Sequence, residues 1–416
     1  MRSLAGLLMC LTGISALQGC AGLAVSESGS SVERKSAAVL PMTIRTLTTE
    51  HRFTQISTAT VAQQLRALHA GEPLNILAIS GGGSGGAFGA GAVAGLTRSG
   101  SRPDFAVVTG VSAGALVAPY AFLGPTWDAR LLEAFTGEAG DNLLQPRALG
   151  AIFGSSLYRG TPLKRLVEAY VSDSMIEAVA REANKGRVLL VATTDVATGQ
   201  PVVWDLGSIA RNGGASARTL FCDVLVASAS VPGMFPPVII RVHEEGGADE
   251  EAHVDGGATV PFFVPPAFVH APSEAFGGAH AAAVYVIIDG PLAEAARTTR
   301  LTARGVLSRS IDAGLNHLLL TTLELTAATA QLQGATLRYS AVPAAYPYLD
   351  AFDFRAATRR PLFRYAYKCA QEGRLWAEIR RTDGEEGTAG SVAQRQNVPC
   401  PSDDPFIGYF ALNDRY

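Results

Sequence analysis

A serine stands at the centre of a Gly-x-Ser-x-Gly turn, between an apolar run and a helix-compatible run. The turn is Gly110-Val-Ser112-Ala-Gly114, and the apolar residues 105–108 precede it. Glycines two positions either side of a serine permit a strand-to-helix turn tight enough to expose the hydroxyl at the helix N-terminus. The pattern therefore predicts that Ser112 is the nucleophile of a hydrolase.

A nucleophilic serine needs a base, and the chain has no histidine in its last 99 residues, beyond His317. An α/β-hydrolase triad usually places its histidine last, so a histidine triad is the less favoured alternative. Asp255 ends a short predicted strand and precedes Gly256 and Gly257, a local design that exposes a side chain into a cleft. Because burial raises the basicity of a carboxylate, Asp255 can take the serine proton itself.

A glycine-rich loop follows the first buried strand that the pattern predicts. Residues 77–91 read Leu-Ala-Ile-Ser-Gly-Gly-Gly-Ser-Gly-Gly-Ala-Phe-Gly-Ala-Gly. Such a loop before a helix turns successive N–H groups toward one point, which predicts an anion site. A nucleotide is disfavoured as the anion, since the next strand ends in Thr109 and Gly110 instead of an acidic residue, and no Lys-Ser or Lys-Thr follows the glycines.

These motifs, in this order, resemble the patatin-like phospholipases, lipid hydrolases whose serine and aspartate work without histidine. Residues 194–199, Thr-Asp-Val-Ala-Thr-Gly, and 227–237, Ala-Ser-Ala-Ser-Val-Pro-Gly-Met-Phe-Pro-Pro, support the resemblance. It implies that Ser112 attacks an ester, that Asp255 activates the serine and then water, and that no metal or cofactor takes part. Loop amides would form the oxyanion hole, each worth roughly 3 to 4 kcal/mol in the transition state. The amides implied are those of Gly81, Gly82, Gly83 and Ser84.

Two loop positions depart from the family pattern. Ser80 stands where the family usually has Asp, and Gly85 stands where it usually has Arg or Lys. A backbone hole survives these changes, whereas a positive charge beside a lipid phosphate does not. The resemblance thus implies hydrolysis of carboxylic esters of phospholipids or other acyl lipids, without fixing the head group. A non-catalytic lipid- or partner-binding lipoprotein with the same fold is the alternative.

The first twenty residues resemble a bacterial lipoprotein signal, and the glycine loop is similar to that of a bacterial lipoprotein branch of the family. Arg2 precedes an apolar stretch at residues 4–17, and Cys20 follows Leu-Gln-Gly. The pattern predicts cleavage before Cys20 and lipidation of that cysteine. Because Ala21 carries no acidic retention signal, a lipid anchor in the outer membrane of the bacterial envelope is expected. An ordinary cleaved signal or a short transmembrane anchor is the alternative.

Composition and patterning predict the fold class. A chain of 416 residues with 48% hydrophobic residues can bury a sizeable core, and a net charge of −3 gives no reason for a nucleic-acid partner. Short apolar runs alternate with helical stretches, which predicts an α/β sheet covered on both faces. The resemblance makes this a three-layer α/β/α patatin-like fold with a mostly parallel central sheet. The predicted strands are residues 74–79, 105–108, 188–193 and 282–287, with shorter pieces at 201–205 and 238–242.

The predicted organisation has four parts, and no pattern indicates the oligomeric state. They are a lipoprotein signal peptide at 1–19, a flexible tether at 20–50, a patatin-like catalytic core at 51–300, and a helical and irregular C-terminal extension packed on the core at 301–416. The acidic stretch 243–251 is interpreted as a hairpin tip in preference to a metal loop. Cys222 lies in an apolar run and is expected to be a buried thiol, which leaves Cys369 and Cys400 as the one sensible pair.

Overall fold

The structure is a computed structural model that describes residues 43–48, 52–68, 74–147, 155–244, 247–269, 282–292, 301–344, 346–347 and 350–378. The predicted signal peptide, Cys20, and Cys400 lie outside these residues. The described part belongs to one compact unit that begins at Pro41.

One sheet runs through the described residues. Its strands are β1 (Thr43–Leu47), β2 (Phe53–Ser57), β3 (Asn75–Ile79), β4 (Val107–Val111), β5 (Val188–Asp195), β6 (Gln200–Asp205), β7 (Val238–Glu244), β8 (Gly247–Asp255), β9 (Ala283–Pro291), β10 (Thr336–Val342) and β11 (Ala377–Glu378). Their order is β11-β10-β9-β3-β4-β5-β6-β1-β2, and the β7–β8 hairpin joins through β8 to β5. Strands β10, β9, β3, β4 and β5 are parallel, whereas β6 and β8 pair with β5 antiparallel. The predicted mostly parallel sheet is confirmed.

Helices cover both faces of this sheet. Those in the described residues are α1 (Thr58–Leu68), α2 (Gly86–Ser99), α3 (Ala113–Leu123), α4 (Asp128–Thr136), α5 (Thr161–Tyr170), α6 (Asp173–Asn184), α7 (Leu206–Asn212), α8 (Gly214–Ser228), α9 (Pro266–Val269), α10 (Ala303–Leu332) and α11 (Ala356–Gln371). Alternate residues of β3 enter opposite cores: Leu77 lies with Phe88 of α2, and Ile76 lies with Leu323 of α10. Strands buried on both faces are apolar throughout, which explains the unbroken hydrophobic runs in the sequence.

The chain ends contribute more to the sheet than predicted. The tether expected over residues 20–50 is wrong at its C-terminal end, because β1 pairs with β6 through Ile44 and Val203 and buries Ile44. Residue 300 is likewise not a boundary in the fold, since β10 pairs with β9 inside the sheet. The described part of the C-terminal extension therefore completes the core instead of only packing on it.

Three smaller predictions can be compared with the structure. The acidic stretch lies on the β7–β8 hairpin, as predicted. Cys222 is a buried free thiol, and Cys369 is disulfide-bonded, although its predicted partner lies outside the described residues. Across the described helices, none combines the length and apolar character needed to cross a membrane.

Candidate active site

Ser112 occupies a strained turn between β4 and α3. Its backbone has φ 55° and ψ −123°, and among the described residues it is the only non-glycine residue with positive φ. A Cβ at Gly110 would lie 2.7 Å from Ala115 Cα, and one at Gly114 would lie 2.4 Å from the Ile79 carbonyl oxygen. Only glycine fits at these two positions, so the turn has the local geometry that the sequence predicts for a nucleophile elbow.

The sheet brings Asp255 to this serine across 143 residues of sequence. Asp255 ends β8, which pairs with β5, and β5 pairs with β4. The Ser112 hydroxyl donates to Asp255 Oδ2 at 2.5 Å, while the Gly257 amide donates to Oδ1 at 2.7 Å. Gly256, the residue after Asp255, packs closely against β5, since a Cβ at Gly256 would lie 2.4 Å from the Ala192 carbonyl oxygen.

Burial tunes the Asp255 carboxyl. Only 3% of the surface of Asp255 is exposed to solvent, and only 6% of the surface of Ser112. This desolvation raises the pKa of Asp255 to about 7, against the opposing effect of the hydrogen bonds from Ser112 and Gly257. A carboxyl with a pKa near neutrality can both accept and return a proton, which suits a general base.

The glycine loop lies against Ser112, since a Cβ at Gly81 would lie 3.0 Å from Ser112 Cβ. Two of the four predicted oxyanion donors are engaged elsewhere: the Gly81 amide donates to the Pro261 carbonyl at 3.1 Å, and the Ser84 amide donates to the Ala351 carbonyl at 2.8 Å. The amides of the other two, Gly82 and Gly83, have no acceptor among the described residues. The predicted set of four donors is therefore wrong for Gly81 and Ser84, and the Gly82 and Gly83 amides remain as candidates.

The Ala113 amide is a further potential donor that the pattern did not single out. Ala113 is the first residue of α3, follows Ser112 directly, and has no acceptor for its N–H in the described chain. An unsatisfied amide at a helix N-terminus carries partial positive charge. The elbow motif itself gives the signal, because the residue after the nucleophile often contributes to an oxyanion hole.

A buried carboxyl, Asp289, lies under the loop and was not predicted. It belongs to β9, and its Oδ1 accepts from the Gly89 amide of α2 at 2.8 Å. Its Oδ2 is buried with no partner in the described residues, and burial raises the pKa of Asp289 well above the ordinary value. Ser80, which stands where the family usually has Asp, accepts from the Asp289 amide at 3.0 Å and donates to the Gly81 carbonyl at 2.7 Å. These contacts support the start of the loop from β9.

An apolar pocket opens beside Gly83, Ser112 and Ala113. Its empty space, with the open mouth included, measures about 970 Å³. The residues that line it include Leu116, Tyr120, Phe135, Leu163, Met175 and Phe235. Of the described lining residues, only one, Arg359, is charged. The pocket thus offers an apolar ligand a path away from the serine hydroxyl.

The Arg359 guanidinium is engaged within the fold, by the Asp141 carboxylate at 3.7 Å and by backbone carbonyls. It donates to the carbonyls of Phe135 at 2.9 Å, Gly137 at 2.6 Å and Phe354 at 2.7 Å. The first two carbonyls lie at the C-terminal end of α4, where a cation compensates the helix dipole. Arg359 therefore joins α11 to α4 as a structural residue and leaves the pocket apolar.

His253 is not the base of this serine. Its Nδ1 pairs with Thr193 Oγ1 at 3.0 Å and its Nε2 pairs with Glu251 Oε2 at 2.9 Å, so both ring nitrogens are engaged elsewhere. Burial raises the pKa of Glu251, but the hydrogen bonds from His253 and Arg45 outweigh it and lower that pKa to about 2. These three residues form a polar network beside β1, which sequence patterns did not indicate.

Comparisons with known proteins gave one family match and a similarity to solved structures. The family model described as patatin-like phospholipase matches residues 77–267, which include Ser112 and Asp255. No curated protein matches the chain. Among solved structures, the chain is similar to VipD from Legionella pneumophila, with 10% sequence identity and a TM-score of 0.39 over 84% of this chain and 73% of that chain.

Proposed function

Because residues 77–267 belong to the patatin-like phospholipase family, we propose that this chain hydrolyses carboxylic esters of acyl lipids through Ser112 and Asp255. The hydrogen bond of 2.5 Å between their side chains is the observation that carries the proposal. A serine hydroxyl is a weak nucleophile unless a base is within reach of its proton. Asp255 is that base.

In the first half-reaction, Ser112 Oγ attacks the ester carbonyl carbon while Asp255 Oδ2 takes the hydroxyl proton. The carbonyl oxygen becomes an oxyanion that accepts hydrogen bonds from the Gly82 and Gly83 amides, with Ala113 as a further donor. Such donors are worth roughly 3 to 4 kcal/mol each. The ester C–O bond then breaks, Asp255 returns its proton to the leaving alcohol, and an acyl-serine remains.

In the second half-reaction, water replaces the alcohol. Asp255 takes a proton from water as the oxygen attacks the acyl carbon, and the same amides hold the second oxyanion. The bond to Ser112 Oγ breaks, the serine regains a proton from Asp255, and the fatty acid leaves. One carboxyl thus acts as base and acid in both halves, as a pKa near neutrality allows.

The apolar pocket is the proposed acyl-chain site. It begins at the nucleophile and is lined almost entirely by aliphatic and aromatic side chains. Burying a CH₂ group of the substrate contributes about 0.8 kcal/mol. Because Arg359 is occupied by backbone carbonyls and Gly85 replaces the usual basic residue, the described site offers no cation for a phosphate. We therefore propose selection for the acyl chain more than for the head group.

The test compares the wild-type protein with Ser112→Ala on a mixed panel of phospholipids, glycerides and simple esters. Mass spectrometry should detect free fatty acids from the wild type only, and a fluorophosphonate probe should label the wild type and not Ser112→Ala. Labelling at another residue, or equal turnover by both proteins, would refute the assignment of Ser112. Lipid retained without any product would favour the non-catalytic lipid-binding lipoprotein instead.

The proposed location is the bacterial outer membrane, through a lipid on Cys20. The N-terminal pattern of Arg2, the apolar residues 4–17 and Leu-Gln-Gly-Cys supports it. Metabolic labelling with an alkyne fatty acid should mark the wild type and leave Cys20→Ser unlabelled. Recovery of the wild type in the soluble fraction, without label, would contradict the anchor.

A further inference from the structure

A fully buried serine outside the two catalytic residues touches the backbone of the nucleophile. Ser228 is the last residue of α8 and has no exposed surface. Its hydroxyl accepts from the Ser112 amide at 3.0 Å and donates to the Ala192 carbonyl of β5 at 2.7 Å. One hydroxyl therefore links the nucleophile to a neighbouring strand.

The position of this bridge in the sheet suggests what it does. The parallel pairing of β4 with β5 ends at Val111 and Ala192. At Ser112 the chain turns toward α3, and the Ser112 amide donates to the Ser228 hydroxyl instead of extending the ladder. The Ser228 hydroxyl fills that gap, since it bonds the Ala192 carbonyl on one side and the Ser112 amide on the other. It satisfies a buried donor that would otherwise cost about 1 to 3 kcal/mol.

We propose that Ser228 is a positioning residue that fixes the strained backbone of Ser112 and so keeps its hydroxyl on Asp255. This inference rests on the proposed function. A residue held in a sparsely populated backbone conformation persists only when its surroundings determine it. Without the bridge, the Ser112 backbone can relax, and a misplacement of about 1 Å at a reacting group can cost roughly 100-fold in rate.

The main experiment measures kcat and KM of Ser228→Ala with a soluble ester. We expect kcat to fall roughly 10- to 100-fold while KM stays within about twofold, because the acyl pocket is unchanged. Ser228→Thr, which restores a hydroxyl, should recover most of the lost kcat. A merely structural role for Ser228 would lower thermal stability without this separation of kcat from KM.

Ser208 supplies a matched control. It is also fully buried, and its hydroxyl accepts from the Leu47 amide at 3.0 Å and donates to the Asp205 carbonyl at 2.7 Å. The bonding pattern equals that of Ser228, but Leu47 and Asp205 take no part in the site. Ser208→Ala should therefore lose a comparable amount of stability and keep kcat within about twofold of the wild type.

The results that would overturn the positioning role differ from the result that would refute the proposed function. Wild-type kcat in Ser228→Ala, or an equal loss of kcat in Ser208→Ala, overturns the positioning role. If Ser228→Ala does not fold, Ser228→Cys replaces it. Because a thiol is a weaker hydrogen-bond acceptor than a hydroxyl, kcat of the folded variant should fall roughly tenfold. Wild-type kcat in Ser228→Cys would also overturn the positioning role. A wild-type protein with no Ser112-dependent turnover would refute the proposed function itself, which distinguishes the two failures.

Discussion

At the scale of single residues, the charge of Asp255 governs the proposed reaction. The carboxyl must be ionised to accept the serine proton, and burial raises its pKa to about 7. We therefore expect kcat/KM to rise with pH through a midpoint near 7 and to level off above it. A profile from pH 5 to 9 with a soluble ester measures the midpoint.

Asp255→Asn provides the control for this prediction. The amide keeps the shape of the side chain and cannot take a proton, so turnover should be abolished at every pH while the far-UV circular dichroism spectrum stays unchanged. A midpoint near 4 in the wild type would indicate a solvated carboxylate and would contradict the buried site. Unchanged turnover in Asp255→Asn would remove this residue from the mechanism.

Asp289 permits a prediction about stability. Its pKa is raised by burial in the folded chain and ordinary in the unfolded chain. Between these two pKa values the folded state keeps a proton that the unfolded state has lost, so the free energy of unfolding falls as pH rises. Asp289→Asn removes this titration. The difference in melting temperature, variant minus wild type, should therefore increase between pH 4.5 and pH 8. A difference that stays constant over this range would contradict an ionisable buried carboxyl at Asp289.

The residues of the site differ in how far the sequence predicts them. Ser112 and Asp255 are predictable because each stands between a strand and glycines in a short local pattern. The hydrogen bonds of the Gly81 and Ser84 amides are not predictable, since their acceptors, Pro261 and Ala351, come from segments far along the chain. Hydrogen-bond partners supplied by tertiary packing leave no local signal. Ser228 lay within a recognised motif, but its role required the register of β4 and β5.

At the scale of elements, the contact between α2 and α11 holds the helix that follows the glycine loop. The two helices pack so closely that a Cβ at Gly91 would lie 2.1 Å from the Phe363 carbonyl oxygen. Gly91→Ala should therefore destabilise the protein by about 1 to 3 kcal/mol, despite the higher helix propensity of alanine. Urea unfolding measures this loss.

Substitution of an exposed helical glycine by alanine should raise stability instead of lowering it, so such a glycine serves as the control. Gly314 lies in α10, is exposed, and a Cβ there would meet no atom within 4 Å beyond the neighbouring backbone of its own helix. Gly314→Ala should stabilise by about 1 kcal/mol, because only the propensity difference remains. Equal effects of the two substitutions would show that propensity, and not close packing, decides the outcome at Gly91.

Elements were predictable from the sequence where their pattern was local. The strands of the parallel sheet follow from short apolar runs, and the β7–β8 hairpin from glycines within an acidic stretch. The contribution of β10 and α11 was not predictable in the same way. A strand that joins the sheet at β9 depends on pairing partners distant in sequence, and the glycines of α2 alone do not identify the helix that packs against them.

At the scale of the whole molecule, the N-terminal strand is tied to the strand that carries Asp255. Arg45 of β1 donates to both carboxylate oxygens of Glu251 on β8, at 2.6 and 3.1 Å, and its guanidinium lies 4.9 Å from the Trp204 ring centroid. Glu251 in turn pairs with the buried His253. β1, at the C-terminal end of the segment predicted as tether, is therefore bonded to β8, the strand that ends in Asp255.

Arg45→Met tests this connection, because methionine preserves much of the side-chain volume and removes the charge. It leaves the Glu251 carboxylate without its guanidinium in a largely buried place, and breaking such a pair should destabilise by about 3 kcal/mol. Arg241→Met is the control on the same hairpin, since Arg241 and Glu250 form an exposed pair worth at most about 1 kcal/mol. Urea unfolding measures both. The double variant Arg45→Met with Glu251→Gln should recover part of the stability, because the amide removes the unpaired charge and can still pair with His253 Nε2. Equal small losses in the two single variants would mean that β1 is not anchored through Arg45.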